Sequence, residues 1–201
     1  MAKKNGEKSH AILNAAKEVF AEVGYHNASI SKIAKRAGIG DGTVYLYFEN
    51  KESILITLQH ETLYNQLIPK LKENLTYYED ARLQLFQLIE THYKFFNEDI
   101  VLAKVLQVEL RQTSPTIREA IKQVLIVNFD IIESVVSKGQ EEGVFREDLS
   151  VRDARKLIFG TLDEMVTCWV LSEKKYSLLK RVEPTYKMFL QALIKMPVSP
   201  L

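Results

Sequence analysis

The chain has 201 residues, 46% hydrophobic and 26% charged, which allows a real core and excludes a disordered polymer. Its net charge of +1 is unevenly divided: residues 1–51 hold eight Lys/Arg against five Asp/Glu, the remainder nineteen against twenty-one. A basic head on a mildly acidic body suits attraction to phosphate. A lone Cys168 excludes an internal disulfide, and no run of 18 apolar residues offers a membrane span. Met1-Ala2-Lys3-Lys4-Asn5-Gly6 has no apolar stretch behind it, so a cytoplasmic location is expected.

The fold class predicted is all-α, with about nine helices. Glycine is absent from 43 to 138, and only Pro69 and Pro115 interrupt that stretch. The first helix is predicted at about 8–23, with Ile12, Ala16, Val19, Phe20 and Val23 on one face and Gly24 at its end. Ile30, Ile33, Ala34 and Ala37 then recur at i, i+3, i+4 and i+7, giving a second helix over 30–37 that Gly38 closes. A third is expected over 41–47, with Asp41 able to supply the cap oxygen that Gly40 lacks.

A long fourth helix should start near Lys51 and reach the low seventies, kinked or ended by Pro69. The fifth is expected at 79–97 and the sixth at 99–111. Ser114-Pro115 is a cap followed by a proline at the first helical position, opening a seventh helix to about Lys138, where Gly139 to Gly143 mark its end. Ser150 with Asp153 opens the eighth, 151–171. The ninth is about 177–195, with Pro184 a possible true start. A boundary inside the fourth helix divides the chain into a three-helix head, 1–50, and a helical body, 51–201.

The second and third helices carry the functional signal. Val44 and Phe48 are four apart and can face inward, which leaves Thr43, Tyr45 and Tyr47 pointing outward. Helix, tight turn and a second helix with exposed hydroxyls is the plan of a DNA reader. Ser29 would cap the second helix and hold a phosphate there, with Ser31 and Lys32 following on the exposed side. Thr43 and Tyr45 are placed for base edges or thymine methyls, Tyr47 for a phosphate. The bland alternative is that both tyrosines pack the head, and that Lys35 and Arg36 are a solvated face.

Ala16, Phe20, Gly24-Tyr25, Ile33-Ala34, Ala37-Gly38, Gly42-Thr43-Val44-Tyr45, Tyr47-Phe48 and Lys51-Glu52 resemble, at fixed spacing over residues 8–55, the head of the tetracycline-repressor (TetR) family. That resemblance implies a phosphate-anchoring role for Lys51. One half-site rarely gives enough discrimination, so a homodimer on a palindromic double-stranded operator is expected. The family pairs its last two helices. Here the eighth carries Leu157, Ile158, Gly160, Thr161, Leu162, Met165 and Trp169, and the ninth Tyr186, Phe189, Leu190, Leu193 and Ile194. Which of these pack the protomer itself is left open.

No catalytic set stands out, so an enzyme is not expected, and neither a cofactor nor a metal. His10, His26, His60 and His92 lack metal-ligand spacing. Gly38-Ile39-Gly40-Asp41-Gly42-Thr43 lacks the strand and ending of a phosphate loop. Cys168, in Met165-Val166-Thr167-Cys168-Trp169-Val170, reads as a small core residue.

In the body, Gln107-Val108-Glu109-Leu110-Arg111-Gln112, Ile158-Phe159-Gly160-Thr161-Leu162-Asp163-Glu164 and Trp169-Val170 resemble the acyl-CoA-responsive repressors of fatty-acid degradation within that family. The resemblance implies long-chain acyl-CoA as the effector. Phe86, Tyr93, Phe96, Leu106, Leu110, Phe129, Phe159 and Trp169 are candidate channel walls, each of which could instead be plain core. Arg111, Arg118 and Lys122 are candidates for the CoA phosphates, unless Arg111 pairs with Glu109 or Glu119. Two other readings stand beside this one: a repressor of an efflux or stress gene answering a drug-like hydrophobic ligand, and a helical dimeric adaptor that binds no DNA.

Overall fold

The computed structural model describes residues 2–109, 114–174 and 176–195. Among them the backbone is helix and turn, with one isolated antiparallel bridge between Phe145 and Ile194. The head consists of α1 (Ala2–Val23), α2 (Ile30–Ala37) and α3 (Asp41–Tyr45). α4 is one continuous rod in three parts: α-helical Lys51–Gln59, π-helical His60–Leu67 and α-helical Ile68–Thr76. Then follow α5 (Ala81–Glu98), α6 (Ile100–Glu109), α7 (Pro115–Glu141), α8 (Val151–Leu171), a 3-10 turn (Leu178–Arg181) and α9 (Val182–Leu193).

Local chemistry sets most of these ends. Ser29 Oγ accepts from the Lys32 amide at 3.2 Å to start α2, and Gly38, at φ 69°, ends it in the left-handed region. Asn50 and Ser53 cap each other at the start of α4. Asp80 starts α5 by accepting from the Arg82 amide at 2.7 Å, and the Arg82 guanidinium holds its carboxyl down at about 2. Ser150 Oγ accepts from the Asp153 amide at 3.1 Å at the head of α8.

Several expectations are corrected. α1 begins at Ala2 rather than near Lys8, because Gly6 lowers helix propensity without breaking the helix. α3 has Gly40 as its cap with no side-chain bond. Asp41 lies inside its first turn, and its carboxylate accepts from Ser31 Oγ instead. α3 also stops at Tyr45, and single turns carry the chain on to Phe48. Pro69 does not end α4. The wider π turns just before it, where the Ile68 amide bonds Leu63 O, absorb the missing donor, and the rod continues to Thr76.

Gly139 lies within α7, which runs to Glu141 and stops at left-handed Gly143. Phe145 folds back onto Gly139, and a Cβ there would sit 2.0 Å from the ring, so this glycine serves close approach rather than termination. α9 starts at Val182, with Pro184 already inside its first turn.

Two apolar clusters organise the chain. The head cluster joins Ile12, Ala16 and Phe20 of α1 with Ile33, Val44, Phe48 and Leu58, and Val105, Ile117 and Ile121 from the body complete it. The body cluster runs from Leu63 through α5 to α9. α4 therefore passes from one core to the other between Leu58 and Leu63, where its π stretch begins. Lys17 Nζ meets Asp99 Oδ2 at 2.6 Å, and Lys104 Nζ donates to Ala21 O at 2.7 Å, tying α1 to α6 and the turn before it.

Candidate nucleic-acid interface and effector core

The turn between α2 and α3 leaves Val44 and Phe48 buried, and the helix must then present its other side to solvent. Tyr45 is 57% exposed and Leu46 80%. Thr43 is half-buried, and Tyr47 is half-buried against the head cluster. Ser29, Ser31 and Lys32 are exposed along α2. The Ser31–Asp41 bond links the two helices of the motif, which makes Ser31 a brace for α3 as well as a candidate contact. Lys32 Nζ donates to Asn27 O at 2.9 Å. Arg36 is more than a solvated cation. It reaches Glu18 of α1 at 2.9 Å and also Glu22, so α1 neutralises it.

Lys51 is held within the head. Its ammonium donates to Tyr25 O (2.6 Å), His26 O (3.2 Å) and Ala28 O (2.8 Å) and lies 4.5 Å above the Tyr25 ring. An ammonium has three protons, and these three carbonyls take them all. In this geometry Lys51 clamps the α1–α2 turn to the start of α4, and a phosphate would have to displace a carbonyl. Leu46 is the head residue that sequence reasoning missed. Its signal was present: two positions from Val44 and two from Phe48, it must point away from both.

In the body, Tyr93, Phe96, Leu106 and Trp169 come together in one buried cluster, with Phe86 and Phe159 packed against it. The polar ends of the two amphipathic aromatics are satisfied: Tyr93 Oη lies 3.1 Å from Thr185 Oγ1, and Trp169 Nε1 donates to Tyr176 O at 2.7 Å. Phe129 stands apart from that cluster. It meets Phe159 edge-on at 4.9 Å and lies 4.3 Å below the Arg155 guanidinium, lining a surface cleft of about 360 Å³ with Asp130, Glu133 and Arg152. Arg118 and Lys122 are exposed on the first turns of α7, Lys122 beside Glu119. Leu110 and Arg111 lie outside the described residues.

Cys168 is exposed rather than core. The thiol lies 3.1 Å from Glu164 Oε1, and that carboxylate pushes its pKa up, away from a reactive thiolate. No described helix is long and apolar enough to cross a membrane, and no three metal-ligating side chains converge among the described residues.

Two family models match successive parts of the chain. Residues 12–58 match the model of bacterial regulatory proteins of the tetR family, and residues 60–192 match the C-terminal region of YsiA-like proteins. The chain belongs to the TetR family. This TetR-family regulator is 42% identical over 177 residues to the fatty acid metabolism regulator protein of Bacillus subtilis (strain 168), covering 88% of this chain and 91% of the relative. Its fold superposes on the fatty acid degradation regulator FadR of Bacillus halodurans with a TM-score of 0.86 at 42% identity, over 91% of this chain and 94% of that one. FadR of Bacillus subtilis, solved in complex with stearoyl-CoA, gives a TM-score of 0.84 at 40% identity, over 90% and 97% of the two chains.

Buried polar groups in the body of this TetR-family regulator also escaped the sequence reading. Thr167 Oγ1 donates to Gln107 Oε1 at 2.8 Å, joining α8 to α6. Gln59 is 3% exposed, and neither atom of its amide has a partner among the described residues. His92 Nε2 is likewise buried without one among those residues, its ring edge-on to Phe96. Leu88, His92 and Phe96 are spaced four apart, a pattern that marks His92 as inward-facing.

Burial lowers the His92 pKa to about 4, from 6.5 in the unfolded chain. Between those values the unfolded state binds a proton that the folded state refuses, so stability falls as pH drops from 6.5 to 4. The loss totals about 3 kcal/mol, and none arises above pH 7. Denaturant titrations at pH 7 and pH 4.5 should show a smaller acid loss in His92→Phe than in the parent. Equal acid losses would show that His92 is not held neutral.

Proposed function

We propose that this regulator is a repressor of fatty-acid-degradation genes, which binds a palindromic operator as a homodimer and is released by long-chain acyl-CoA. The observation that carries the reading is likeness over nine-tenths of the chain to a regulator solved with stearoyl-CoA. The body offers a compatible interior in Tyr93, Phe96, Leu106 and Trp169. The head offers Tyr45, Leu46 and Thr43 to a groove, with the exposed amino end of α2 for a phosphate.

The proposed dimer surface is the exposed side of α8. Ile158, Leu162 and Trp169 are buried in the protomer, as are Phe189 and Leu193 of α9. The opposite side presents Leu157, Gly160, Glu164, Cys168 and Leu171 at helical spacing, with Met188 exposed on α9. Those residues are the proposed contacts of the symmetry mate. Leu162 and Phe189, natural choices from sequence, serve the protomer's own core.

Release requires that the ligand bind the DNA-incompetent arrangement better, since equal affinity for both shifts nothing. α4 is the proposed connection. It is packed in the head up to Leu58 and in the body from Leu63, so displacement of its body end changes the spacing of the two reading helices. Its π stretch at the crossing is where the rod can change register.

The test uses an operator selected from random duplexes and read by fluorescence anisotropy. Stearoyl-CoA should release it, and octanoyl-CoA and free CoA should do so weakly, because each buried methylene adds about 0.8 kcal/mol, or about fourfold in affinity. Release by an amphipathic drug-like compound, when no acyl-CoA of any length acts, would replace this reading with that of an efflux-gene repressor.

A further inference from the structure

We propose that Gln59 is a binding residue for the effector, pairing with an uncharged amide in the arm that joins acyl chain to phosphates. This rests on the acyl-CoA reading above. The side chain is 3% exposed, and among the described residues neither its amide nitrogen nor its amide oxygen has a hydrogen-bond partner. A buried amide with neither bond made weakens the folded state, and an apolar side chain of the same size would pack there at no such penalty. The position therefore opposes stability in the ligand-free protein, which is the mark of a group kept for a ligand.

Its place in the fold says which part of the ligand it meets. Ser114 Oγ donates to Glu52 Oε1 at 2.9 Å, which sets the start of α7 against the first turn of α4. Gln59 follows Glu52 by seven residues, two helical turns, so it lies on the same face of α4 about 10 Å further along. α7 runs the same way: Ile117 and Ile121 pack in the head cluster with Leu58, and Val124 joins the body cluster with Leu63. Gln59 thus stands between the amino end of α7, with Arg118 and Lys122 exposed on its first turns, and the apolar body core. The π turns of α4 begin at the next residue, His60.

A ligand with phosphates at the α7 end and an alkyl chain in the body core must pass Gln59 with its middle portion. In an acyl-CoA that portion is uncharged and holds two secondary amides, each with one carbonyl and one N–H. A glutamine amide, which has one acceptor and two donor hydrogens, complements such a group on both sides. A carboxylate or phosphate would leave the Gln59 oxygen facing like charge.

The experiment compares the parent with Gln59→Leu and Gln59→Met, titrating stearoyl-CoA and the S-ethyl thioester of stearic acid, which has no amide. Fluorescence of the single tryptophan, Trp169, reports binding. Both variants should melt at or above the parent temperature without ligand, bind stearoyl-CoA about tenfold or more weakly, and bind the ethyl thioester as the parent does. Equal weakening toward both ligands, or no weakening toward stearoyl-CoA, would overturn the role of Gln59 while leaving the acyl-CoA reading intact. A parent protein that binds no acyl-CoA would overturn both.

Discussion

Leu157→Glu is expected to give a monomer by sedimentation, with helical content unchanged, and to lower affinity for a full two-fold operator by roughly 10²–10⁴-fold. Leu157 is 40% exposed on the outer side of α8, so a carboxylate there keeps its water in the separated chain. In the proposed dimer the same position is covered, and a charge buried without a partner opposes association. The loss on DNA follows because two linked reading helices bind as one ligand, and a monomer holds only one half-site. Met188→Glu, also on exposed surface, should act in the same direction. Leu162→Glu should unfold the protein, since Leu162 is 1% exposed in the protomer. An operator-binding dimer from both surface variants would move the interface elsewhere.

Tyr45→Ala should cost about 1–3 kcal/mol on the selected operator and little on random DNA. The ring stands in solvent at the end of α3, and Val44 and Phe48 already fill the core beneath it, so its removal leaves the fold unchanged. Lys51→Ala is the contrasting variant. With its ammonium committed to Tyr25 O, His26 O and Ala28 O, its removal should lower the melting temperature. Binding to operator and random DNA should then weaken together, with the slope of log affinity against log salt unchanged. A slope smaller by about one unit would instead mean that Lys51 neutralises a phosphate. Specific and random binding lost equally in Tyr45→Ala would remove that residue from base recognition.

The division between what sequence shows and what packing decides runs along interaction range. The start of α2 is written in Ser29 and its end in Gly38, and the bonds that make them caps close within a few residues. The same holds for Ser114 before Pro115 and Ser150 before Asp153. Apolar spacing in α2 and the inward pair Val44 and Phe48 likewise depend only on helical period, so the helix-turn-helix head and its outward Tyr45 were legible directly. The family was legible because those local rules recur at fixed spacing over residues 8–55.

Other features depend on partners that no local pattern names. Lys51 looks like a free cation in sequence, yet its three acceptors lie 23 to 26 residues away. Gly139 reads as a helix stop until Phe145 occupies the space of its missing Cβ. Cys168 sits among apolar neighbours but faces outward with Glu164, because Val166 and Trp169 take the inner face of α8. Leu157 and Leu162 are alike as residues, and only the direction of the body core tells an interface from an interior. Amino-acid order determined where helices form and which face of each is apolar, since both are set by bonds and periods of a few residues. Which apolar face meets the protomer and which is left for a partner, and which buried amide is left without a bond, was decided by tertiary packing, where the competing surfaces belong to residues far apart in the chain.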